Sequence, residues 1–229
     1  DDGLMPEEAR RELEGAGVTL RTYRADGPFN FSHKLNRSLQ LVESEDVIIL
    51  NDDLEVISPD WVEALLEQSR RPEIGAVGAR LLFDNGELQH AGMALGVKSA
   101  AGHLFYRLPR DALSYGGHSE IQRNYAAVTA AVMATRLSLL RQVGGFDEGL
   151  RIDFNDVDYC LKLGQLGYRV VYTPFATLYH FERSSLARIE ASAADRERFL
   201  ERWGEQVARD PFYHPLLPRD RYDCVVTEW

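Results

Sequence analysis

The stretch VIILNDDLEV, residues 47–56, runs four apolar residues straight into Asn51, Asp52 and Asp53. The apolar run reads as a strand covered on both faces, as in a parallel sheet. Two adjacent carboxylates at its end need an explanation. Unit charges roughly 6 Å apart repel by about 3 kcal/mol at an effective dielectric of about 20. A solvated turn of the kind Asn and Asp favour would relieve that repulsion, and so would a bound cation.

Outward from this stretch, helical and extended patterns alternate. Residues 6–16, PEEARRELEGA, predict a short helix with Pro6 in its first turn and Gly17 at its end. VTLRTY, 18–23, predicts a strand, and HKLNRSLQLVE, 33–43, has helical apolar spacing at Leu35, Leu39 and Val42. SPDWVEALLEQ follows the acidic pair as a helix, with Ser58 able to cap it, Pro59 in first position and Asp60 at the positive end. GAVGARLLF is the next strand, closed by a hairpin-type turn at Asp84-Asn85-Gly86. Residues 98–124 have no clear periodicity and predict a long loop. AAVTAAVMATR predicts a second buried strand, RLSLLRQVG and FNDVDYCLKLGQLG two helices, YRVVYTPFATLYHFE one or two strands, and 190–208 a further helix. This order implies an α/β sandwich with a mostly parallel central sheet, whose ligands bind beyond the carboxyl ends of the strands. Asn51, Asp52 and Asp53 stand at such an end.

The bulk properties narrow the classes. A length of 229 residues fits one large domain or two small ones, and 45% apolar with 27% charged residues is ordinary for a globular protein. A formal charge of −10 makes non-specific nucleic-acid binding a poor expectation. The two cysteines, Cys160 and Cys224, make no disulfide framework. With no signal-peptide pattern, they fit a reducing compartment. No apolar run approaches the roughly 20 residues of a membrane span. The chain opens DDGLMPEEAR without Met at position 1, the expectation for a processed chain or a piece of a longer one.

Three constellations can carry chemistry. Because side chains alternate along an extended segment, Asp52 and Asp53 face different partners, one a sugar hydroxyl and the other a hard cation in the functional reading. Mg2+ and Mn2+ take oxygen ligands and commonly use one or two carboxylates, with phosphate oxygens completing the shell. In FNDVDYCLKL, Asn155, Asp156 and Asp158 crowd a helix start. Capping and charge–dipole contact account for one or two acids there, and a carboxylate within reach of a hydroxyl can act as a general base. His180, in TLYHFE, suits either a structural role or a metal ligand. Lys34, Asn36 and Arg37 can reach phosphate or sugar or simply be solvated, and His90 and His103 can line an acceptor cleft or pack.

Taken in order, DDG, GPFNFSHKLNRSL, VIILNDDLEVISPDWVEALLE, GAVGARLLFDNGELQHAG, the long stretch from AVTAAVMATR to YRVVYTP, and LYHFE resemble the family 2 glycosyltransferases with the GT-A fold. The likeness covers nearly the whole chain, and its tail is similar to bacterial polysaccharide-assembling members. It implies a single glycosyltransferase domain over 1–229. Residues 1–97 would be the remainder of a nucleotide-binding half, 98–185 the acceptor and catalytic half, and 186–229 a C-terminal helix and extended tail. It also implies Asp53 and His180 as ligands of Mn2+ or Mg2+, Asp52 at the ribose, Asp2 near the nucleobase, Lys34 at the nucleotide and Asp156 as catalytic base. Asn155 stands where many relatives have Glu.

The resemblance further implies inverting, metal-dependent transfer from a nucleotide-sugar donor to a glycan or lipid-linked acceptor in cell-surface polysaccharide synthesis. Nucleic acid is not expected as a partner. The place implied is the cytoplasm, compatible with peripheral association at the inner face of the cell membrane and with membership of a larger chain. Relatives begin with a strand, a helix and a strand before DDG. The expectation is therefore an N-terminally truncated domain with an open sheet edge, impaired alone in nucleotide binding and restored by about 30 residues, a strand–helix–strand length. A non-catalytic carbohydrate-binding or assembly module within a larger glycan synthase is the alternative.

Overall fold

Ile74–Leu82 is buried at every position, and the rest of the sheet is built around it. The computed structural model describes residues 5–23, 27–98, 100–112, 114–181 and 187–226. In chain order these form α1 (Glu7–Gly15), α2 (Phe31–Leu39), β1 (Asp46–Leu50), β2 (Leu54–Val56), α3 (Trp61–Ser69), β3 (Ile74–Leu82), β4 (Leu88–His90), β5 (Met93–Leu95) and β6 (Ala101–His103). They continue with β7 (Arg123–Tyr125), β8 (Val132–Arg136), α4 (Leu137–Gln142), α5 (Asn155–Gln165), β9 (Arg169–His180) and α6 (Ala187–Ala208). The main sheet runs β1-β8-β3-β9-β2, with β4 on β3 and β7 on β9; β5 and β6 pair separately.

The α/β architecture with a central sheet is the one the sequence predicts, but the sheet is not mostly parallel. Among the described residues only β3 and β9 pair in parallel; the β1–β8, β8–β3, β9–β2, β3–β4 and β7–β9 pairings are antiparallel. An apolar strand run does not reveal its direction. β8 enters between β1 and β3 from the opposite end, so β1, β3 and β9 still point the same way.

Alternation along β3 supplies both faces of the core. Val77, Ala79 and Leu81 pack with Leu65 of α3 on one side. Ala76 and Leu82 share the larger cluster on the other side with Val157, Tyr159 and Leu163 of α5 and Phe199 and Trp203 of α6. Gly78 allows the close approach of Val128: a Cβ at 78 would lie 2.4 Å from the Val128 Cβ. Gly78→Ala should therefore destabilise the chain by about 1–3 kcal/mol through overpacking. A urea unfolding curve with an unchanged midpoint would contradict this.

Three local expectations change. VTLRTY forms no ladder, and β1 is the terminal strand of its side among the described residues. Arg21 of that segment instead bonds Leu41 O and Glu43 at the surface. Ser58 makes no side-chain cap on α3; its hydroxyl accepts from Thr177 N at 3.1 Å. The 98–124 segment contains β6, a 3-10 turn at Tyr115–Gly117 and β7 rather than loop alone. It is fastened to the sheet where Arg80 meets both Glu120 carboxylate oxygens at 2.7 and 2.8 Å. Among the described residues no helix is long and apolar enough to cross a membrane.

Candidate active site

Strand pairing, not sequence proximity, brings Asp53 to His180. β2 and β9 pair with Leu54 opposite His180, and Phe181 N donates to Asp53 O at 2.9 Å. The acid thus ends up beside the imidazole, with Asp53 Oδ1 3.1 Å from His180 Nε2. Asn51 is fixed by the neighbouring ladder, its N–H donating to Ala131 O at 2.9 Å, and its Nδ2 donates to the same His180 Nε2 at 3.1 Å.

Asp156 comes from the opposite side on the first turn of α5. Its Oδ2 accepts from Ala130 N at 3.1 Å and its Oδ1 from Val157 N at 2.8 Å. Ala130 and Ala131 are consecutive, so one short stretch of main chain holds both the base candidate and the end of β1. Burial raises the Asp156 carboxyl above its ordinary value, opposed by the Ala130 and Val157 N–H groups and by His103. An acid shifted upward in this way is better matched to proton transfer near neutral pH.

The turn before Asp156 is shaped by α6. Phe154 adopts a left-handed φ of 62°, a conformation costly for a residue with a Cβ. Two contacts hold it there. The Phe154 ring stacks on Phe199 at 5.0 Å, and the buried Asp195 carboxylate accepts from the N–H groups of Arg151, Ile152 and Asp153 at 3.1, 2.8 and 2.9 Å. Asp158 faces away from Asp156, because residues two apart on a helix do not share a face. It is fully buried, accepts from Trp203 Nε1 at 2.9 Å, and pairs with Lys162 at 2.7 Å and Arg202 at 3.2 Å.

Asn51, Asp53, His180 and Asp156 line one cleft of about 1070 Å³, with Tyr106 and Tyr222 among its aromatic walls. Among the predicted residues, Asp53, His180 and Asp156 are brought together. Asp52 is exposed and outside the cleft lining. Lys34 is half-buried and also outside that lining, its ammonium 4.9 Å from the centre of the Phe29 ring. Asp2 lies outside the described residues. His103 lines the cleft, while His90 is buried behind it, their Nδ1 atoms 3.0 Å apart. Asn155 is buried and donates to Ile152 O at 2.8 Å.

Asp53 Oδ1 is buried without a hydrogen-bond partner, facing an imidazole nitrogen at 3.1 Å. Two ligands at right angles on an octahedral ion with bonds of about 2.1 Å stand about 3 Å apart. The pair therefore fits a hard divalent cation. Sequence reasoning missed Gln89, Asp195 and the Ala130–Ala131 clip. A lone strand Gln, a helical acid forty residues downstream and main-chain donors have no motif to mark them.

The family model for glycosyltransferase like family 2 matches residues 5–203. The chain belongs to this family. Among curated relatives of this family 2 chain, the O-antigen biosynthesis protein RfbC of Myxococcus xanthus is 37% identical over 87% of the chain and 16% of the relative. The uncharacterized protein y4gI of Sinorhizobium fredii is 36% identical over 94% of the chain and 24% of its own length. The chain thus spans a quarter or less of these two relatives. The crystal structure of GalNAc-T7 with UDP, GalNAc and Mn2+ superposes with a TM-score of 0.64 at 15% identity, covering 88% of this chain and 40% of that one. That likeness establishes the GT-A fold.

Proposed function

We propose that the chain is the catalytic domain of an inverting, divalent-metal-dependent glycosyltransferase. It would move a sugar from a nucleotide-sugar donor to a glycan or lipid-linked acceptor in cell-surface polysaccharide synthesis. The observation that carries this is the clip at Ala130–Ala131, which sets Asp156 and the Asn51–Asp53 corner in one cleft. The name of RfbC and the Mn2+ in the GalNAc-T7 structure support the process and the metal.

In this reading Asp53 and His180 hold Mn2+ or Mg2+. When bound, such an ion neutralises charge on a departing diphosphate. Asp156 takes the proton of an acceptor hydroxyl as that oxygen bonds to the anomeric carbon. The bond from that carbon to the diphosphate breaks on the opposite face, and the pair of electrons leaves with the nucleoside diphosphate. The place proposed is the cytoplasm, compatible with peripheral association at the inner face of the cell membrane.

A donor panel assayed with Mn2+ and with EDTA tests the reading. Metal-dependent release of a nucleoside diphosphate supports it, whereas glycan binding without turnover supports the non-catalytic module. Asp53→Ala should weaken metal-dependent donor binding and lower transfer by several kcal/mol of transition-state stabilisation, the scale of Lewis-acid contacts. Calorimetry showing the same Mn2+-dependent gain in donor affinity in Asp53→Ala as in the parent chain would remove Asp53 from the metal site.

A further inference from the structure

Gln89 sits on β4, buried, with its carboxamide against His180. Its Nε2 donates to His180 O at 3.4 Å, and its Oε1 lies 2.6 Å from His180 Nδ1. The two contacts fix each other. A carbonyl oxygen only accepts, so the amide must turn its NH2 toward His180 O and its oxygen toward the ring. An oxygen at that position requires a proton on Nδ1. A neutral ring protonated at Nδ1 carries its lone pair on Nε2, and Asn51 Nδ2, a donor, meets Nε2 in agreement with this. Nε2, carrying no proton, then has none to give the buried Asp53 Oδ1 3.1 Å away, and that oxygen stays without a hydrogen-bond partner.

We infer that Gln89 is a positioning residue that locks His180 in the Nδ1–H tautomer and so presents Nε2, beside Asp53 Oδ1, to a divalent cation. The inference rests on the proposed reading of Asp53 and His180 as metal ligands. Groups that hold the second ring nitrogen of a ligating histidine fix its orientation, and their loss typically weakens metal binding by about 10–100-fold.

Two variants separate positioning from packing. Gln89→Met keeps the side-chain volume and removes the acceptor; Gln89→Glu keeps the acceptor. In metal-free 15N-labelled protein, the His180 ring nitrogens should report Nδ1–H in the parent chain and in Gln89→Glu, and lose that preference in Gln89→Met. Titration with Mn2+ alone, followed by loss of the free-ion electron paramagnetic resonance signal, should show affinity about 10–100-fold weaker in Gln89→Met and near the parent value in Gln89→Glu. A retained Nδ1–H tautomer in Gln89→Met overturns the inference, and so does unchanged Mn2+ affinity in that variant. If the parent chain takes up no more Mn2+ than His180→Ala, the metal reading fails. The ring spectra need no metal and judge the tautomer lock separately.

Discussion

Asp156→Asn should lower transfer by about 10²–10⁴-fold, the range a positioned general base supplies, while donor binding stays unchanged. The substitution removes the proton acceptor but alters little of the cleft. Asn supplies one acceptor oxygen where Asp156 supplies two, so one of the N–H groups of Ala130 and Val157 loses its partner, a loss of about 1 kcal/mol. Burial works in the other direction. Because the folded carboxyl titrates above its ordinary value, its contribution to stability is fully present below the unfolded pKa and fades as pH rises through the folded one. At neutral pH the parent chain therefore bears a cost that Asn does not, and the two effects oppose. The expected result is a dead but folded protein, checked by single-turnover assays beside urea unfolding. In the parent enzyme transfer should fall with acidification, at a pH above the ordinary carboxylate range, as Asp156 takes up its proton. Near-normal turnover of Asp156→Asn would exclude the base assignment.

Trp203→Ala should destabilise the chain by about 3–5 kcal/mol, the cost of emptying a large aromatic site. The Trp203 side chain is 1% exposed and sits in the larger core cluster. Its indole N–H is also a donor to the fully buried Asp158. Trp203→Phe divides these effects: most of the ring volume remains and the donor goes. It should cost about 1–3 kcal/mol, the penalty for weakening the pairing of a buried polar group. Denaturant midpoints of the two variants measure the division; an unchanged midpoint in Trp203→Phe would mean that the Asp158 contact contributes nothing beyond packing. Both variants should also slow transfer, because α6 carries Asp195 and Phe199, which hold the turn before Asp156.

The sequence is most informative where one residue type does one local job. DVIIL as a strand, the acids in the first turns of α1 and α5 and the DNG turn read correctly because apolar character, N-terminal acids and glycine conformation act within a few residues. The acids of NDD and NDVDY are visible as candidates for the same reason. The covering of DVIIL on both faces does not read correctly, since β1 buries only Val47 and Ile49 and leaves Leu50 exposed. What could not be read there depends on partners far along the chain. Asp156 and Asp158 look equivalent in sequence, yet one faces the cleft and the other is spent on Trp203, Lys162 and Arg202. Ser58 has every mark of a cap but is claimed by Thr177 of β9. The direction of β8 is invisible in AAVMATR, since an apolar run packs equally well either way. Gln89 acquires a role only when β4 lies beside the end of β9.

Ala130 and Ala131 hold the two sides of the cleft by an amide hydrogen and a carbonyl oxygen of the backbone. Groups of that kind belong to any amino acid except, for the N–H, proline. The distance between the Asn51–Asp53 corner and Asp156 is thus written into the repeat of the polypeptide itself, like a ruler whose divisions are peptide units. Side chains around it can be exchanged while the two carboxylates keep their span.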